Sequence, residues 1–270
     1  MKFEKYYKYP SKIICLTEES VETLYLLGKE ELITGVSAFV KRPIQAQSLP
    51  KVSFFTSSNY KKIIAREPDL ILGHSDIQKN IARDLIELGQ DVYIANHRSI
   101  EGILKYIAML AKLVDAKEEG EVLIEKLLAQ IQKAQKFSQS LTKKPKIYFE
   151  EWDDPKISAI QWVSELIELC GGVDINKEKS RGILAKDRFI TDADIIAANP
   201  DIIFGCWCGK KVKINKIKGR AGYENLDALK NDHIFELEPE VFLQPGPAPL
   251  LDGIDILIDY FDKWHKGKLS

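Results

Sequence analysis

The chain has 270 residues, 45% of them apolar, which is enough for two domains of ordinary size, each with its own core. Its 39 basic and 40 acidic residues nearly cancel, and no block of the chain has a strong charge of one sign. This balance argues against nucleic acid or an anionic membrane as a partner.

The first ten residues, MKFEKYYKYP, do not fit a secretory signal, because charged residues and tyrosines interrupt every apolar run. No other stretch is apolar for long enough to span a bilayer. Two locations therefore stay open. The protein is cytoplasmic if Met1 is the native start, and periplasmic or at the cell surface if a signal peptide has been removed.

The first half of the chain predicts an α/β lobe. A strand over residues 12–16 precedes a helix over 18–27, which ends at Gly28. A second helix over 60–65 leads through a Pro-Asp turn into a short, fully apolar strand. Such a strand is typical of a parallel sheet that helices cover on both faces. We assign this lobe to residues 1–115.

A long helical segment follows the first lobe. Residues 99–114 place apolar side chains at helical spacing, and a second apolar stripe extends over 118–141. Pro145 ends the segment, since proline cannot continue a helix. The pattern predicts a single linker helix over residues 116–144 that joins the first lobe to a second one.

The second half of the chain repeats the order of the first. Residues 146–150 parallel 12–16, and the turn at 199–201 parallels the turn at 67–69. We therefore predict a second lobe over residues 145–270. The predicted fold is α/β, with two related three-layer lobes, mainly parallel sheets, one long joining helix and a ligand cleft between the lobes.

Candidate ligand contacts are the side chains at strand exits and in the loops that follow them. Ligands of open α/β sheets bind beyond the carboxyl ends of the strands. The candidates are Glu18, Phe54, Phe55, Ser57, His74 and His97 in the first lobe, and Glu150, Glu151, Trp152, Asp153, Trp207, Cys208, Lys210, Arg220, Phe242 and Gln244 in the second.

The residue types suggest how a flat ligand would be held. Trp152 and Trp207 follow equivalent strands, and we expect them to sandwich a planar ring. Lys210 and Arg220 can pair with acidic groups on the ligand. An imidazole, at His74 or at His97, would suit a metal or a cobalt-bearing ligand.

Acidic residues and cysteines near the second lobe's strand exits keep other functions open. Asp153 and Asp154 precede an expected helix from residue 157, where they would cap its start. Cys206 and Cys208 would point the same way on a strand, which permits a metal contact. No nucleophile and base are organised, and no phosphate loop is present, so we favour a non-catalytic protein.

Two alternatives to a ligand receptor remain. The first is a cytosolic enzyme or metal-dependent protein that uses Glu150 together with Cys206 and Cys208 in the same cleft. The second is a protein-interaction module whose cleft is empty. Binding of a chelated ligand would separate both alternatives from the receptor.

Several segments together resemble the helix-linked, class III periplasmic binding proteins of vitamin B12, haem and iron-siderophore importers. The resemblance rests on residues 12–36, 50–73 and 162–172, in that order and spacing. It is closest to the cobalamin-binding branch. The resemblance implies a monomeric, non-catalytic receptor that captures a cobalamin-like corrinoid or another metal chelate between two lobes, without a covalently bound cofactor.

One departure from the family concerns the importer. Family members that dock on an importer usually have a surface glutamate on each lobe, seven residues before the proline of the Pro-Asp turn. The residues at these positions are Lys61 and Ala193. A lysine placed against an arginine pocket of the membrane subunit would be repelled. This departure favours a cytosolic relative that keeps the ligand cleft and does not dock.

Overall fold

The computed structural model describes residues 9–270. The chain divides into two compact units, which we call the first unit and the second unit. The first unit comprises the chain up to His97 together with Glu101–Lys126. The second unit comprises Arg98–Ile100 and Leu127–Ser270. No helix within residues 9–270 is long and apolar enough to cross a membrane.

A five-stranded parallel sheet forms the centre of the first unit, with the strand order β3-β2-β1-β4-β5. Its strands are Ile13–Cys15 (β1), Ile33–Ser37 (β2), Lys51–Ser53 (β3), Leu70–His74 (β4) and Val92–Ala95 (β5). Its helices are Glu18–Leu26 (α1), Tyr60–Ile64 (α2) and Lys79–Glu87 (α3), and Ile100–Leu113 (α4) follows the last strand.

The central strands of this sheet are apolar on both faces. Ile13 and Ile14 in β1 and Ile71 and Leu72 in β4 are completely buried. Helices on both sides of the sheet leave no solvent-facing position in these strands, so alternation of polar and apolar residues is lost. The sequence pattern therefore predicted the parallel sheet correctly.

The longest helix, Lys117–Ser140 (α5), lies within the segment that the sequence assigned to a linker. Its 24 residues correspond to a length of about 36 Å. Leu123, Leu127 and Ala134 form its buried stripe. The boundary between the two units falls inside this helix, between Lys126 and Leu127.

The second unit contains a mixed five-stranded sheet with the order β10-β9-β6-β7, and β8 pairs with the beginning of β6. The strands are Lys146–Asp153 (β6), Lys156–Ser158 (β7), Val173–Asp174 (β8), Ile202–Gly205 (β9) and Ile234–Glu236 (β10). The helices are Gln161–Leu169 (α6), Asp192–Ala198 (α7), Ile214–Lys218 (α8), Asp227–Lys230 (α9), Pro239–Phe242 (α10) and Ile254–His265 (α11).

The strand β7 lies where the sequence predicted the beginning of a helix. Residues 156–158 turn back antiparallel to β6, with Glu150 opposite Ser158 and Asp153 opposite Lys156. The helix α6 therefore begins at Gln161 rather than at residue 157. The expectation that Asp153 caps this helix is wrong, because Asp153 is the last residue of β6.

The duplication seen in the sequence has a structural basis in the Pro-Asp turns. The carboxylate of Asp69 accepts a hydrogen bond from the backbone N–H of Lys12 at 3.0 Å, and that of Asp201 accepts one from Lys146 at 2.7 Å. Each aspartate also donates its own N–H to the carbonyl of the same lysine. In both units the turn thus fixes the first strand beside the strand that follows the turn.

Candidate functional site

The carboxyl ends of all five strands of the first unit lie at one edge of its sheet, because the strands are parallel. The predicted residues of this unit follow four of these strands. Glu18 comes after β1, Phe55 and Ser57 come after β3, and His74 and His97 come at or after the ends of β4 and β5.

Three phenylalanines form an exposed group at this edge, which we call the aromatic surface. The ring centroid of Phe39 lies 6.0 Å from that of Phe54 and 5.8 Å from that of Phe55. Phe39 and Phe54 are 44% and 56% exposed. The sequence analysis missed Phe39, although it follows β2 just as Phe54 follows β3. A search of every strand exit for aromatics would have found it.

Glu18 supports the loop that holds Phe39. Its side chain is buried, and its carboxylate accepts a hydrogen bond from the backbone N–H of Lys41 at 2.8 Å. One turn later, Glu22 binds the guanidinium of Arg42 at 3.0–3.1 Å. Both glutamates therefore stabilise the loop after β2, whereas the sequence had suggested a direct ligand contact for Glu18.

The buried side chain of Gln78 connects three strand exits, and the sequence gave no indication of this role. Its amide donates to the carbonyl of Leu16 at 3.2 Å and to that of Phe55 at 3.4 Å. Its side-chain oxygen accepts from the backbone N–H of His74 at 3.0 Å. Gln78 thus sets the positions of Phe55 and His74 relative to β1.

His74 and His97 belong to a ring cluster at the same edge. Their ring centroids are 5.0 Å apart in an edge-on arrangement, and His97 stacks on Tyr106 at 4.9 Å. Tyr106 is buried, whereas both imidazoles are half-buried. The two imidazoles therefore lie at the same edge of the sheet as the aromatic surface. Their contact with a ligand stays a prediction.

A buried carboxylate is the centre of the corresponding region in the second unit. Glu150 is fully buried and accepts hydrogen bonds from the Tyr148 hydroxyl at 2.8 Å and the Trp207 indole at 3.1 Å. The guanidinium of Arg220 binds both of its oxygens, at 2.5 and 2.9 Å. Burial lowers the pKa of Arg220, but the bonds to Glu150 outweigh burial and raise it.

In this network Glu150 and Arg220 bind each other rather than facing a ligand. Each carboxylate oxygen accepts two hydrogen bonds, and the two opposite charges neutralise each other inside the unit. A buried carboxylate that is satisfied in this way has no lone pair directed at a substrate. The geometry therefore gives no support to an enzyme that uses Glu150.

The predicted tryptophan sandwich is wrong for Trp207. Its ring is 1% exposed and belongs to the core of the second unit, so neither face is open to a ligand. Trp152 is partly exposed, and its indole donates to the carbonyl of Asp154 at 3.0 Å. The ammonium of Lys210 lies 3.7 Å from the Trp152 ring centroid and 4.9 Å from that of Trp207.

Asp153 holds Lys210 in this position. Its carboxylate binds the ammonium of Lys210 and, at 2.6 Å, that of Lys216. Burial raises the pKa of Asp153, but the hydrogen bonds from the two lysines outweigh burial and lower the pKa to about 2. Asp153 is therefore charged at every pH near neutrality.

The two cysteines of the C-x-C sequence do not share a face. The strand β9 ends at Gly205, so strand alternation no longer applies beyond it. Cys206 is buried, and burial raises the pKa of its thiol well above the usual range, whereas Cys208 is exposed. Across residues 9–270, no group of three or more His, Cys, Asp or Glu side chains is placed to hold a metal ion.

Phe242 and Gln244 lie inside the second unit. The Phe242 side chain is fully buried, and its carbonyl accepts from the indole of Trp162 at 2.9 Å. Gln244 is 7% exposed. The prediction that the Phe242 ring contacts a ligand is not supported by this core position.

The chain is similar to proteins of known type over most of its length. Residues 13–241 match the family model described as periplasmic binding protein. An uncharacterized ABC transporter substrate-binding lipoprotein of Bacillus subtilis, YvrC, is 23% identical over 93% of this chain and 80% of its own length. The vitamin B12-binding protein of Vibrio campbellii is 25% identical over 93% of this chain and 89% of its own.

Solved structures show the same fold. The periplasmic haem-binding protein RhuT of Roseiflexus sp. RS-1 superposes with a TM-score of 0.79 at 20% identity, covering 93% of this chain and 98% of that one. The vitamin B12 binding protein BtuF of Vibrio cholerae superposes with a TM-score of 0.75 at 22% identity, covering 95% of this chain and 98% of that one.

Proposed function

Because the chain belongs to the periplasmic binding protein family, we propose that it is a solute-binding protein that captures a cobalamin-like corrinoid or another metal chelate. The observation that supports this ligand class is the aromatic surface. Phe39 and Phe54 expose about half of their side chains at the carboxyl edge of the first sheet, where α/β sheets bind ligands.

An exposed aromatic group of this kind is unfavourable in water unless a partner covers it. Burying a fully exposed phenylalanine side chain is worth roughly 1.5–3 kcal/mol, so covering the exposed half of each ring contributes about half of that. Ring contacts with a flat ligand add about 0.5–1.5 kcal/mol for each pair. A corrin or porphyrin ring offers a matching apolar face, whereas a small polar solute such as a sugar or an amino acid does not.

The relatives support the same ligand class and a location outside the cytoplasm. Curated relatives are named as vitamin B12-binding proteins or as a substrate-binding lipoprotein, and structural neighbours as haem-binding periplasmic proteins. A cytoplasmic location has no support from these relatives. A corrinoid, a haem and an iron chelate all remain within the proposed class.

Titration calorimetry with cyanocobalamin, haem and a ferric siderophore tests the proposal directly. We expect a dissociation constant of about 1 µM or tighter for at least one of the three, which corresponds to about 8 kcal/mol. Absence of binding to all three would contradict the proposed ligand class.

The double variant Phe39→Ala/Phe54→Ala tests the aromatic surface. We expect it to weaken the bound ligand by more than about tenfold, because two ring contacts and their apolar burial are lost. Ile86→Ala is the matched control, since Ile86 is 61% exposed on α3 in the same unit but away from the strand exits. Equal affinities of the double variant and wild type would rule out this surface.

A further inference from the structure

Lys210 lies over the ring of Trp152, which is partly exposed. Its ammonium lies 3.7 Å from the centroid of that ring, at a distance where a cation is attracted to the ring electrons. The side chain of Lys210 is 38% exposed. A flat ligand that stacks on this face of Trp152 would displace the ammonium from the ring.

Asp153 makes this displacement possible without leaving a buried charge unpaired. Its carboxylate is 6% exposed and binds Lys210 and Lys216 at the same time. When Lys210 moves away, Lys216 still neutralises Asp153 at 2.6 Å. Removing both cations would cost far more, because a buried carboxylate without a partner is strongly unfavourable.

The displaced ammonium needs a new anionic partner. Lys210 follows Gly209, which has a φ of 76° and no atom within 4 Å of the position that a Cβ would take. Glycine has more accessible backbone conformations than other residues, which favours movement of Lys210 at this point. An anionic substituent at the rim of a ring that stacks on Trp152 would lie close to the ammonium that the ring displaced. A neutral ring would displace Lys210 without offering this compensation.

We propose that Lys210 is a specificity-determining residue, which selects a flat chelate with an anionic group, a carboxylate or a phosphodiester, at its rim. This inference rests on the proposed function, because it requires a flat-ring ligand. It specifies the charge of the ligand, a property that the aromatic surface of the first unit does not determine.

Two pairs of probes separate ring binding from charge recognition. Haem is compared with haem dimethyl ester, and cyanocobalamin with dicyanocobinamide, which lacks the nucleotide loop together with its phosphodiester. For the ring that wild type binds, we expect Lys210→Met to weaken the anionic member about tenfold, the effect of losing one charge-assisted bond. It should leave the neutral member unchanged or bind it more tightly, because Trp152 no longer has an ammonium on its face.

Lys211→Met is the matched control, since Lys211 is the next residue in the chain and is exposed. It should bind both members of each pair like wild type. Circular dichroism and melting temperatures establish that each variant is folded, and Lys210→Gln repeats the test with a polar neutral side chain. Equal weakening of both members by Lys210→Met would overturn the inference and leave the proposed function intact. If wild type bound a ferric siderophore and none of these four probes, only the inference would be overturned, whereas no binding of the siderophore either would overturn both.

Discussion

Glu19 is a buried carboxyl whose ionisation should control the stability of the first unit. Burial raises its pKa to about 7, although a hydrogen bond from Thr17 acts in the opposite direction. Cys15 and Tyr106 lie nearby, and their pKa values are also raised, chiefly by burial. None of these groups offers a positive charge, so the ionised carboxylate has no compensating partner among them.

The pKa of Glu19 predicts a loss of stability as pH rises. The folded state holds the proton up to about pH 7 and the unfolded chain releases it near 4.5. The contribution of Glu19 to the free energy of unfolding is therefore fully present below pH 4.5 and is lost as the pH rises to about 7. The difference between a pKa of 4.5 in the unfolded chain and about 7 in the folded state corresponds to about 3 kcal/mol of unfolding free energy. Glu19→Gln should remove most of this loss in urea unfolding at pH 4.5 and pH 8.

The control for this measurement is Glu119→Gln, because Glu119 is exposed on α5. Its unfolding free energy should follow the wild-type pH dependence. If Glu19→Gln showed the same fall between pH 4.5 and pH 8 as wild type, the pH dependence would have another origin.

The repeated Pro-Asp turn is the clearest feature at the level of elements. Glu67 and Asn199, which precede the two prolines, both adopt left-handed backbone conformations, with φ of 49° and 45°. The aspartates that follow the prolines bind the backbone of the first strand in each unit. The same local geometry therefore starts both sheets, which is why the two segments match in sequence.

Replacing either aspartate should weaken its own unit. Asp69→Ala removes two hydrogen bonds from backbone N–H groups to a carboxylate, and Asp201→Ala removes one. Each variant should lose about 1–2 kcal/mol of stability. Chemical unfolding measures this loss. Asp91→Ala is the control, since its exposed side chain makes no hydrogen bond or ion pair within residues 9–270. Unchanged stability of Asp69→Ala and Asp201→Ala would show that the turns do not fix the strands.

Sequence patterns predicted the parallel strands and failed where tertiary packing decides the outcome. The strands β1, β4 and β9 are apolar on both faces, and this signal is local. The burial of Trp207 depends on its bond to Glu150, 57 residues away, which no local pattern contains. Similarly, β7 forms because residues 156–158 pair with β6, whereas their own sequence is compatible with a helix.

At the level of the whole molecule, family membership confirms three predictions. The class of binding protein, the α/β fold of two units and the non-catalytic character follow from the family match over residues 13–241 and the structural neighbours. The residues suggested for ligand contact remain predictions. They were chosen by position at strand exits, and position alone does not distinguish Phe54, which is exposed, from Trp207, which is buried.

Docking on an importer is the remaining prediction at this scale. Lys61 is exposed on α2 and Ala193 is exposed on α7, at the two positions where the family resemblance implies a glutamate in members that dock. Surface charges of this kind determine which partner associates and how fast. We expect wild type to bind the reconstituted membrane subunit of a vitamin B12 importer weakly, and Lys61→Glu/Ala193→Glu to bind at least about tenfold more tightly, as measured by surface plasmon resonance.

The control for docking adds the same charge on another side of the same helix. Lys62→Glu is that control for Lys61→Glu, since Lys62 is also exposed on α2 but is rotated by about 100° from Lys61. This variant should bind the membrane subunit like wild type, because a general increase in negative charge does not create a matched contact. Tight binding by wild type would contradict the prediction, because it would show that Lys61 and Ala193 do not prevent docking.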